Sequence, residues 1–355
     1  MRNNYQEERT IKMVVRIREI LKELPPFLAE FFRGISETTS ANTRLVYVYD
    51  LRIFFTYLME NVDTFKNKTH KTFLIDDLNL IKAEDIEAYL EYLTYYPSKN
   101  KAGEIIWNKN TEKGKGRKLA SVKTMFRYFF RKRKITVNEA ELVDMPKTFE
   151  KPIIKLDSDE IIKLLRSVEQ GDILTKKEKV FHDHNKNRDL AIITLLLGTG
   201  MRISELIGID IEHIDFNING VKVTRKGGNE VILYFGDEVK KTLKIYMYER
   251  TQKISLKGHE KALFLSIQNR RITDRAVQNL VKKYSNVLGG LKKISPHKLR
   301  STYGTNLYQA TGDIYLVADV LGHRDVNTTR KHYAQMDDAR RKEAVKYIKL
   351  REVDV

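Results

Sequence analysis

The stretch of residues 137–155, VNEAELVDMPKTFEKPIIK, constrains the architecture more than any other part of the chain. Pro146 and Pro152 disfavour helix there, because a proline lacks a backbone donor and restricts the residue before it. The apolar residues before this stretch recur with helical spacing, whereas strand-like alternation joins the helices after it. A chain of 355 residues can form a domain on each side of such a linker.

Hydrophobic periodicity predicts four helices in the first half, over residues 8–24, 39–60, 83–95 and 119–132. In the second half a helix begins at Asp157, where Glu160 completes a capping box, and an apolar helix covers residues 187–198. Alternation around a glycine-rich turn in residues 220–235 predicts a β-hairpin. We therefore expect a mainly α fold with a small antiparallel β-sheet.

We place a helical N-terminal domain at residues 1–140 and a linker at residues 141–156. A second domain follows at residues 157–336, and a C-terminal helix or tail occupies residues 337–355. This division predicts two separate hydrophobic cores.

The composition narrows the classes of function. The chain contains no cysteine, which excludes disulfide scaffolds, thiolate zinc sites and cysteine nucleophiles. The longest apolar run, residues 190–197, has eight residues, whereas a membrane span needs about 18. No apolar signal region stands at the start of the sequence, so we expect a cytoplasmic protein with no membrane partner. The net charge of +18 favours a polyanion such as nucleic acid.

Residues 101–137 contribute more than half of this charge, with twelve lysines and arginines against two acids. Helical spacing puts most of the interleaved aromatic residues on a core face and Lys123, Arg127 and Arg131 on another face. Such a face can neutralise phosphates, although a merely solvated helix face is the alternative. The candidate DNA-binding residues are Lys113, Lys115, Arg117, Lys118, Lys123, Arg127 and Arg131.

Two segments of the second half carry candidates for chemistry on an anion. Arg202 opens a helix, and Glu205 lies three residues on, where its carboxylate can fix the guanidinium plane or form a plain surface ion pair. Lys226 stands at the tip of the predicted hairpin, where a lysine is usually exposed to solvent but can also reach into a cleft.

Two later segments add histidines, an arginine and a tyrosine. Ser295 and Pro296 are typical of a helix start, which places His297 and Arg300 near a helix N-terminus that favours anions. A capped surface helix is the alternative for this segment. Residues 313–321 are a predicted helix that ends at Gly322, directly before His323, and Tyr333 follows in a further helix.

These residue types together suit attack of a tyrosine oxygen on a phosphodiester. A phenol with a pKa of about 10 needs cations that stabilise the phenolate and the developing phosphorane charge. Such a reaction requires no metal, and we expect none. The nearest metal-like string, residues 182–184 (His-Asp-His), is interpreted as a polar loop.

The same segments resemble the motifs of tyrosine recombinases. Residues 199–206 (TGMRISEL), 296–300 (PHKLR) and 321–323 (LGH) with Tyr333 are similar to the family's three boxes, and Lys226 matches its hairpin lysine. The resemblance implies that Tyr333 attacks DNA and forms a 3′-phosphotyrosyl link. The remaining catalytic residues that it implies are Arg202, Lys226, His297, Arg300 and His323, with Glu205 in support.

The resemblance also implies partners. It indicates a two-domain clamp on double-stranded DNA with inverted-repeat half-sites, four identical protomers on two DNA sites, and room for an accessory protein. No cofactor is expected, because the adduct keeps the bond energy. A C-terminal helix at about residues 338–350 is expected to dock on a neighbour or, alternatively, in cis.

Two positions depart from the commonest family pattern. Tyr333 lies ten residues after His323 rather than nine, and His332 fills the ninth position. Ser301 stands where many members have a histidine. Residues 187–193 and 223–228 resemble the Xer subgroup that resolves chromosome dimers, and an integrase of a phage or integrative conjugative element is the alternative. A type IB topoisomerase and a non-catalytic DNA-binding module are the remaining classes.

Overall fold

The computed structural model describes residues 5–100, 102–149, 154–225, 228–289, 292–323 and 325–326. The chain divides into two compact units, Met1–Glu150 and Lys151–Val355. The functional domains and their limits given above remain predictions. Among the described helices, none is both long and apolar enough to cross a membrane.

The first unit consists of helices and one β-hairpin. Its elements are α1 (Tyr5–Leu21), α2 (Leu28–Gly34), α3 (Ala41–Asn61), α4 (Ala83–Tyr92), β1 (Tyr95–Lys99), β2 (Ile105–Lys109) and α5 (Glu112–Arg131). All four predicted helices are present. Helix α5 begins earlier than expected because the Thr111 side chain accepts a hydrogen bond from the Gly114 backbone N–H and caps the helix.

The hairpin of β1 and β2 was not predicted, and its first residue, Tyr95, lies within the helix predicted over residues 83–95. Helix α4 instead ends at Tyr92, and Pro97 pairs with Trp107 across the antiparallel hairpin. Proline removes a donor from a helix, and aromatic residues favour strands. The exposed rings of Tyr95 and Trp107 stack with their centroids 4.7 Å apart.

The core of this unit is rich in aromatic rings from α3, α4 and α5. Phe54, Phe55, Tyr89, Phe126 and Phe129 are fully buried. Phe54 meets both Phe55 and Tyr89 edge to face, an arrangement that adds to the free energy gained by burial. The first half of the chain therefore folds around a core of its own.

The second unit is also mainly helical and contains a three-stranded antiparallel sheet in the order β3-β4-β5. The elements before α9 are α6 (Ser158–Gln170), α7 (Lys176–Thr199), α8 (Ile203–Ile207), β3 (Ile214–Asp215), β4 (Gly220–Thr224) and β5 (Glu230–Tyr234). The later helices are α9 (Asp237–Thr251), α10 (Asp274–Ser285), α11 (Pro296–Thr311) and α12 (Ile314–Leu321). The predicted hairpin is present as β4 and β5, and the predicted fold class is confirmed.

Helix α7 begins at Lys176, well before the predicted residue 187. A capping box starts it: the Thr175 backbone N–H donates to Glu178 Oε2 at 3.0 Å, and Thr175 Oγ1 accepts from the Glu178 N–H. The interpretation of residues 182–184 as a polar loop is therefore wrong. His182 is buried on this helix, and its Nδ1 lies 3.0 Å from Tyr284 Oη.

Helix α7 also carries a buried ionic network. Asp189 accepts hydrogen bonds from the Arg188 guanidinium at 2.6 Å and from Tyr284 Oη at 2.9 Å. The Tyr284 proton is thus engaged, and His182 Nδ1 donates to the Tyr284 oxygen. Burial lowers the pKa of His182, which favours the neutral imidazole in this position.

We expect Asp189→Ala to lower the free energy of unfolding by about 3 kcal/mol, because removing one partner leaves a buried, uncompensated guanidinium. Urea denaturation measures this change. Asp183→Ala, an exposed acid on the same helix, is the control and should change stability by no more than about 0.5 kcal/mol. Equal effects of the two substitutions would contradict a stabilising role for the network.

Candidate active site

The candidate site starts at the turn between α7 and α8. Gly200 ends α7 in the left-handed conformation, with φ of +61°. A Cβ atom at this position would lie 2.4 Å from Cδ1 of Tyr303 as well as close to Leu321. Glycine is therefore required both for the backbone conformation and for the close packing. This turn places Arg202 at the N-cap of α8.

Glu205 holds Arg202 through its carboxylate. Glu205 Oε2 accepts from the Arg202 backbone N–H at 2.7 Å, and Oε1 accepts from Arg202 Nη1 at 2.9 Å. The Glu205 side chain is only 3% exposed, so the pair is not a surface ion pair. A buried carboxylate with both oxygens engaged fixes the guanidinium plane of a residue that is itself partly open to solvent.

Arg300 reaches the same region from α11. This helix begins at Pro296 as predicted, although the Ser295 side chain makes no capping hydrogen bond. The guanidinium of Arg300 is buried and donates from Nη1 to the Gly200 carbonyl at 2.7 Å and from Nη2 to the Leu321 carbonyl. Arg300 thereby connects α11 with the turn after α7 and with the end of α12.

The C-terminal end of α12 is where Arg202 and Arg300 meet. Gly322 ends this helix with φ of +63°, and the His323 backbone N–H donates back to the Ala318 carbonyl at 2.9 Å. Arg202 Nη2 donates to the Gly322 carbonyl at 2.9 Å, next to the carbonyl that Arg300 binds. His323 follows directly and is half-buried.

The structure thus gathers Arg202, Glu205, Arg300 and the backbone of His323 around one helix end. His297 differs from its neighbour Arg300, because it is exposed on the first turn of α11 and its Nδ1 lies 3.4 Å from Ser301 Oγ. Lys226, Tyr333 and the predicted helix at residues 338–350 lie outside the described residues. The two guanidinium groups that meet at the end of α12 form a site suited to an anion with several oxygens.

A group of potential metal ligands lies elsewhere in this unit. Asp210, Glu212 and His213 place one ligand atom each within 4.8 Å of one another. The Asp210 carboxylate pairs with Arg271, and His213 Nδ1 accepts from the Asp210 backbone N–H at 3.1 Å. These atoms therefore serve local structure, and we assign no metal to them.

The seven basic residues predicted to contact DNA all lie on α5 but differ in exposure. Lys113, Arg117, Arg127 and Arg131 are exposed, and Lys115 and Lys123 are half-buried. Arg117 pairs with the buried Asp50, and Arg127 pairs with Glu141 at 3.0 Å. The exposed charges therefore lie along the outer face of a helix whose inner face enters the core.

Lys118 is the exception, because it is only 5% exposed. Its Nζ donates to Asn110 Oδ1 at 2.8 Å, and burial lowers the pKa of the ammonium group. Lys118 is a predicted DNA-binding residue because it lies in the basic stretch, but the start of α5 at Glu112 places its side chain among the buried residues of the helix. We therefore remove Lys118 from the set of residues that can reach DNA in this conformation.

Known proteins resemble this chain over most of its length. Residues 155–340 match the Phage integrase family. The tyrosine recombinase XerC of Caldanaerobacter subterraneus subsp. tengcongensis is 33% identical over 335 residues, which cover 90% of this chain and 86% of that protein. A match of this extent shows membership of the family.

Solved structures share the fold. The XerH site-specific recombinase in a post-cleavage complex with palindromic difH substrate has a TM-score of 0.64 at 19% identity, covering 94% of this chain and 88% of that one. The Tn1549 transposon integrase with circular intermediate DNA has a TM-score of 0.62 at 21% identity, covering 89% and 97%. The chain belongs to the tyrosine recombinases of the Phage integrase family, which cleave and rejoin DNA.

Proposed function

We propose that this recombinase acts at one type of DNA site in the manner of Xer proteins and resolves chromosome dimers in the cytoplasm. The observation that carries the proposal is the meeting of Arg202 and Arg300 at the end of α12, directly before His323. The similarity to XerC over 90% of the chain supports the Xer assignment.

The proposed reaction is a transfer of the phosphoryl group from a DNA oxygen to a tyrosine oxygen. Tyr333 Oη forms a bond to phosphorus and gives its proton to His297, while the bond from phosphorus to the 5′ oxygen breaks. Lys226 protonates that 5′ oxygen. Arg202, Arg300 and His323 stabilise the charge on the non-bridging oxygens. Attack by the 5′ hydroxyl of another strand reverses the steps and restores the tyrosine.

The proposed partner is double-stranded DNA with inverted-repeat half-sites. The exposed arginines of α5 support this proposal, as does the palindromic substrate named for the XerH structure. We further propose that the two predicted domains clamp the duplex and that four protomers act on two sites. Whether the C-terminal helix docks in cis or on a neighbour then determines how these protomers are linked.

DNA affinity should depend on the exposed face of α5. Replacing Arg127 and Arg131 together by alanine should weaken binding and reduce the slope of log affinity against log salt by about 2, because each phosphate contact releases about one counterion. Fluorescence anisotropy over a range of salt concentrations measures the slope. Arg16→Ala changes an exposed arginine on α1 and is the control. An unchanged slope in the double variant would remove α5 from the DNA interface.

An integrase of a mobile element is the second candidate function. The shared fold with the Tn1549 transposon integrase favours it, since the same chemistry serves insertion and excision. A type IB topoisomerase would relax supercoils without joining two different DNA molecules, and a non-catalytic module would form no covalent adduct.

The proposal can be tested by trapping covalent adducts in the native cell with detergent and sequencing the attached DNA. Adducts at one chromosomal site near the replication terminus are expected for a dimer resolvase. Adducts at the ends of a mobile element would replace this function with that of an integrase. A strain carrying Tyr333→Phe supplies the background, and equal recovery from it would contradict both candidates.

A further inference from the structure

Arg225, which sequence reasoning did not single out, joins the β4–β5 hairpin to the end of α12. It directly follows β4, and its guanidinium donates from Nη1 to the Asp319 carbonyl at 3.1 Å and from Nη2 to the Val320 carbonyl at 2.7 Å. Two hydrogen bonds from one planar guanidinium to neighbouring carbonyls restrict both the distance and the orientation of the contact.

This contact completes the capping of α12. The last carbonyls of a helix lack partners within the helix and form the negative end of its dipole. Arg225 binds the carbonyls of Asp319 and Val320, while Arg300 and Arg202 bind those of Leu321 and Gly322. Three arginines from separate elements therefore hold four successive carbonyls directly before His323.

Gly322 allows Arg225 to approach this closely. A Cβ atom on Gly322 would lie 2.6 Å from Nη1 of Arg225 and 2.7 Å from its central guanidinium carbon. The guanidinium therefore lies over the glycine at a distance that a side chain at position 322 would prevent. Gly322 also needs its positive φ to end the helix, so glycine at this position serves both the helix end and the contact with Arg225.

The backbone of Arg225 meanwhile closes the hairpin turn. Its N–H donates to the Asn229 carbonyl at 2.7 Å, and its carbonyl accepts from the Gly228 N–H at 3.0 Å. Lys226 lies between these anchored positions in the sequence. One residue thus fixes the base of the turn through its backbone and attaches that turn to α12 through its side chain.

We propose that Arg225 is a positioning residue for Lys226, because it ties the base of the β4–β5 turn to the helix end where Arg202 and Arg300 meet. The inference rests on the proposed function, in which Lys226 gives a proton to the leaving 5′ oxygen. Arg225 acts through that lysine and does not itself touch the reacting atoms. Its loss should therefore impair departure of the leaving group more than binding of DNA.

We expect Arg225→Ala to slow single-turnover cleavage about 100-fold on a normal duplex carrying the site found by adduct mapping. The decisive probe is the same duplex with sulfur in place of the 5′ bridging oxygen. Attack by Tyr333 then breaks a phosphorus–sulfur bond and releases a thiolate, which is a stable anion and needs no proton. The sulfur substrate should restore the rate of Arg225→Ala to within a few-fold of the wild type.

Three further variants test whether Arg225 acts through Lys226. Lys226→Ala should show the same rescue by sulfur, and Arg225→Lys should be intermediate because lysine cannot make both hydrogen bonds in one plane. Glu230→Gln alters an exposed side chain of the same hairpin and should cleave both substrates normally. Thermal unfolding and DNA affinity of each variant are measured alongside.

The positioning role would be overturned if Arg225→Ala reduced the cleavage rate equally on the oxygen and sulfur substrates. It would also be overturned if this variant lost its fold or its DNA affinity, because the residue would then be purely structural. Normal cleavage of the oxygen substrate by Arg225→Ala would overturn it as well. Failure of the wild type to form any adduct would instead contradict the proposed function. The two failures are therefore distinguishable.

Discussion

Tyr333→Phe should abolish DNA cleavage, with a loss of at least about 10⁴-fold, and leave DNA affinity within a few-fold of the wild type. Phenylalanine keeps the aromatic ring and removes only the oxygen that the proposed reaction joins to phosphorus. Binding depends on many phosphate contacts, most of them remote from this atom. Single-turnover cleavage and fluorescence anisotropy on the same duplex measure the two quantities.

His332 provides a matched control for the choice of nucleophile. It precedes Tyr333 and occupies the position nine residues after His323, which is the commonest spacing of the family's tyrosine. His332→Gln should still form the covalent adduct. Cleavage by Tyr333→Phe at more than background rate would show that another residue attacks the phosphate.

Arg202→Ala and Arg300→Ala should each reduce the cleavage rate by about 100-fold or more, comparable to the loss of a donor that stabilises transition-state charge. Arg202 is partly exposed, but its removal leaves the buried Glu205 carboxylate without its guanidinium partner, so this variant should lose stability as well as activity. Arg300 is buried and binds two carbonyls, so its removal should also lower the melting temperature.

Arg271→Ala separates these two effects. Arg271 is a largely buried arginine of the same unit, with its side chain 9% exposed, and its Nη1 donates to the carbonyls of Ile207 and Ile209 at 3.0 Å. We expect this variant to lose stability but, below its melting temperature, to cleave at a rate near that of the wild type. A similar rate loss in Arg271→Ala and Arg300→Ala would indicate that the latter acts through stability alone.

The parts of the site that depend on local spacing could be predicted from the sequence. Arg202 and Glu205 lie three residues apart, and Gly322 directly follows the helix that it ends. Both features involve residues within one or two helical turns, so short sequence patterns can reveal them. Arg225 could not be found in this way, because its partners lie 94 and 95 residues further along the chain. Its contact follows from the packing of a hairpin against a helix, which no short pattern encodes.

On α5, the density of basic residues predicts which side chains are exposed less well than the hydrophobic pattern does. Seven basic residues of this stretch are predicted to bind DNA, yet Lys118 is buried and donates to Asn110. The predicted helix began at residue 119, so the preceding turn had no assigned face, whereas the helix actually extends back to Glu112. The missed hairpin of β1 and β2 has a related cause, since its exposed aromatic residues lack clean alternation between apolar and polar types.

The most direct test of the account is to identify the amino acid that is joined to DNA. The purified protein is incubated with a duplex that carries the mapped site and a nick just downstream of the cleavage point, so that cleavage releases a short fragment with the free 5′ hydroxyl. The trapped adduct is digested and sequenced by mass spectrometry. We expect a nucleotide attached through its 3′ phosphate to Tyr333. A nucleotide on any other residue, or attached through its 5′ phosphate, would contradict it.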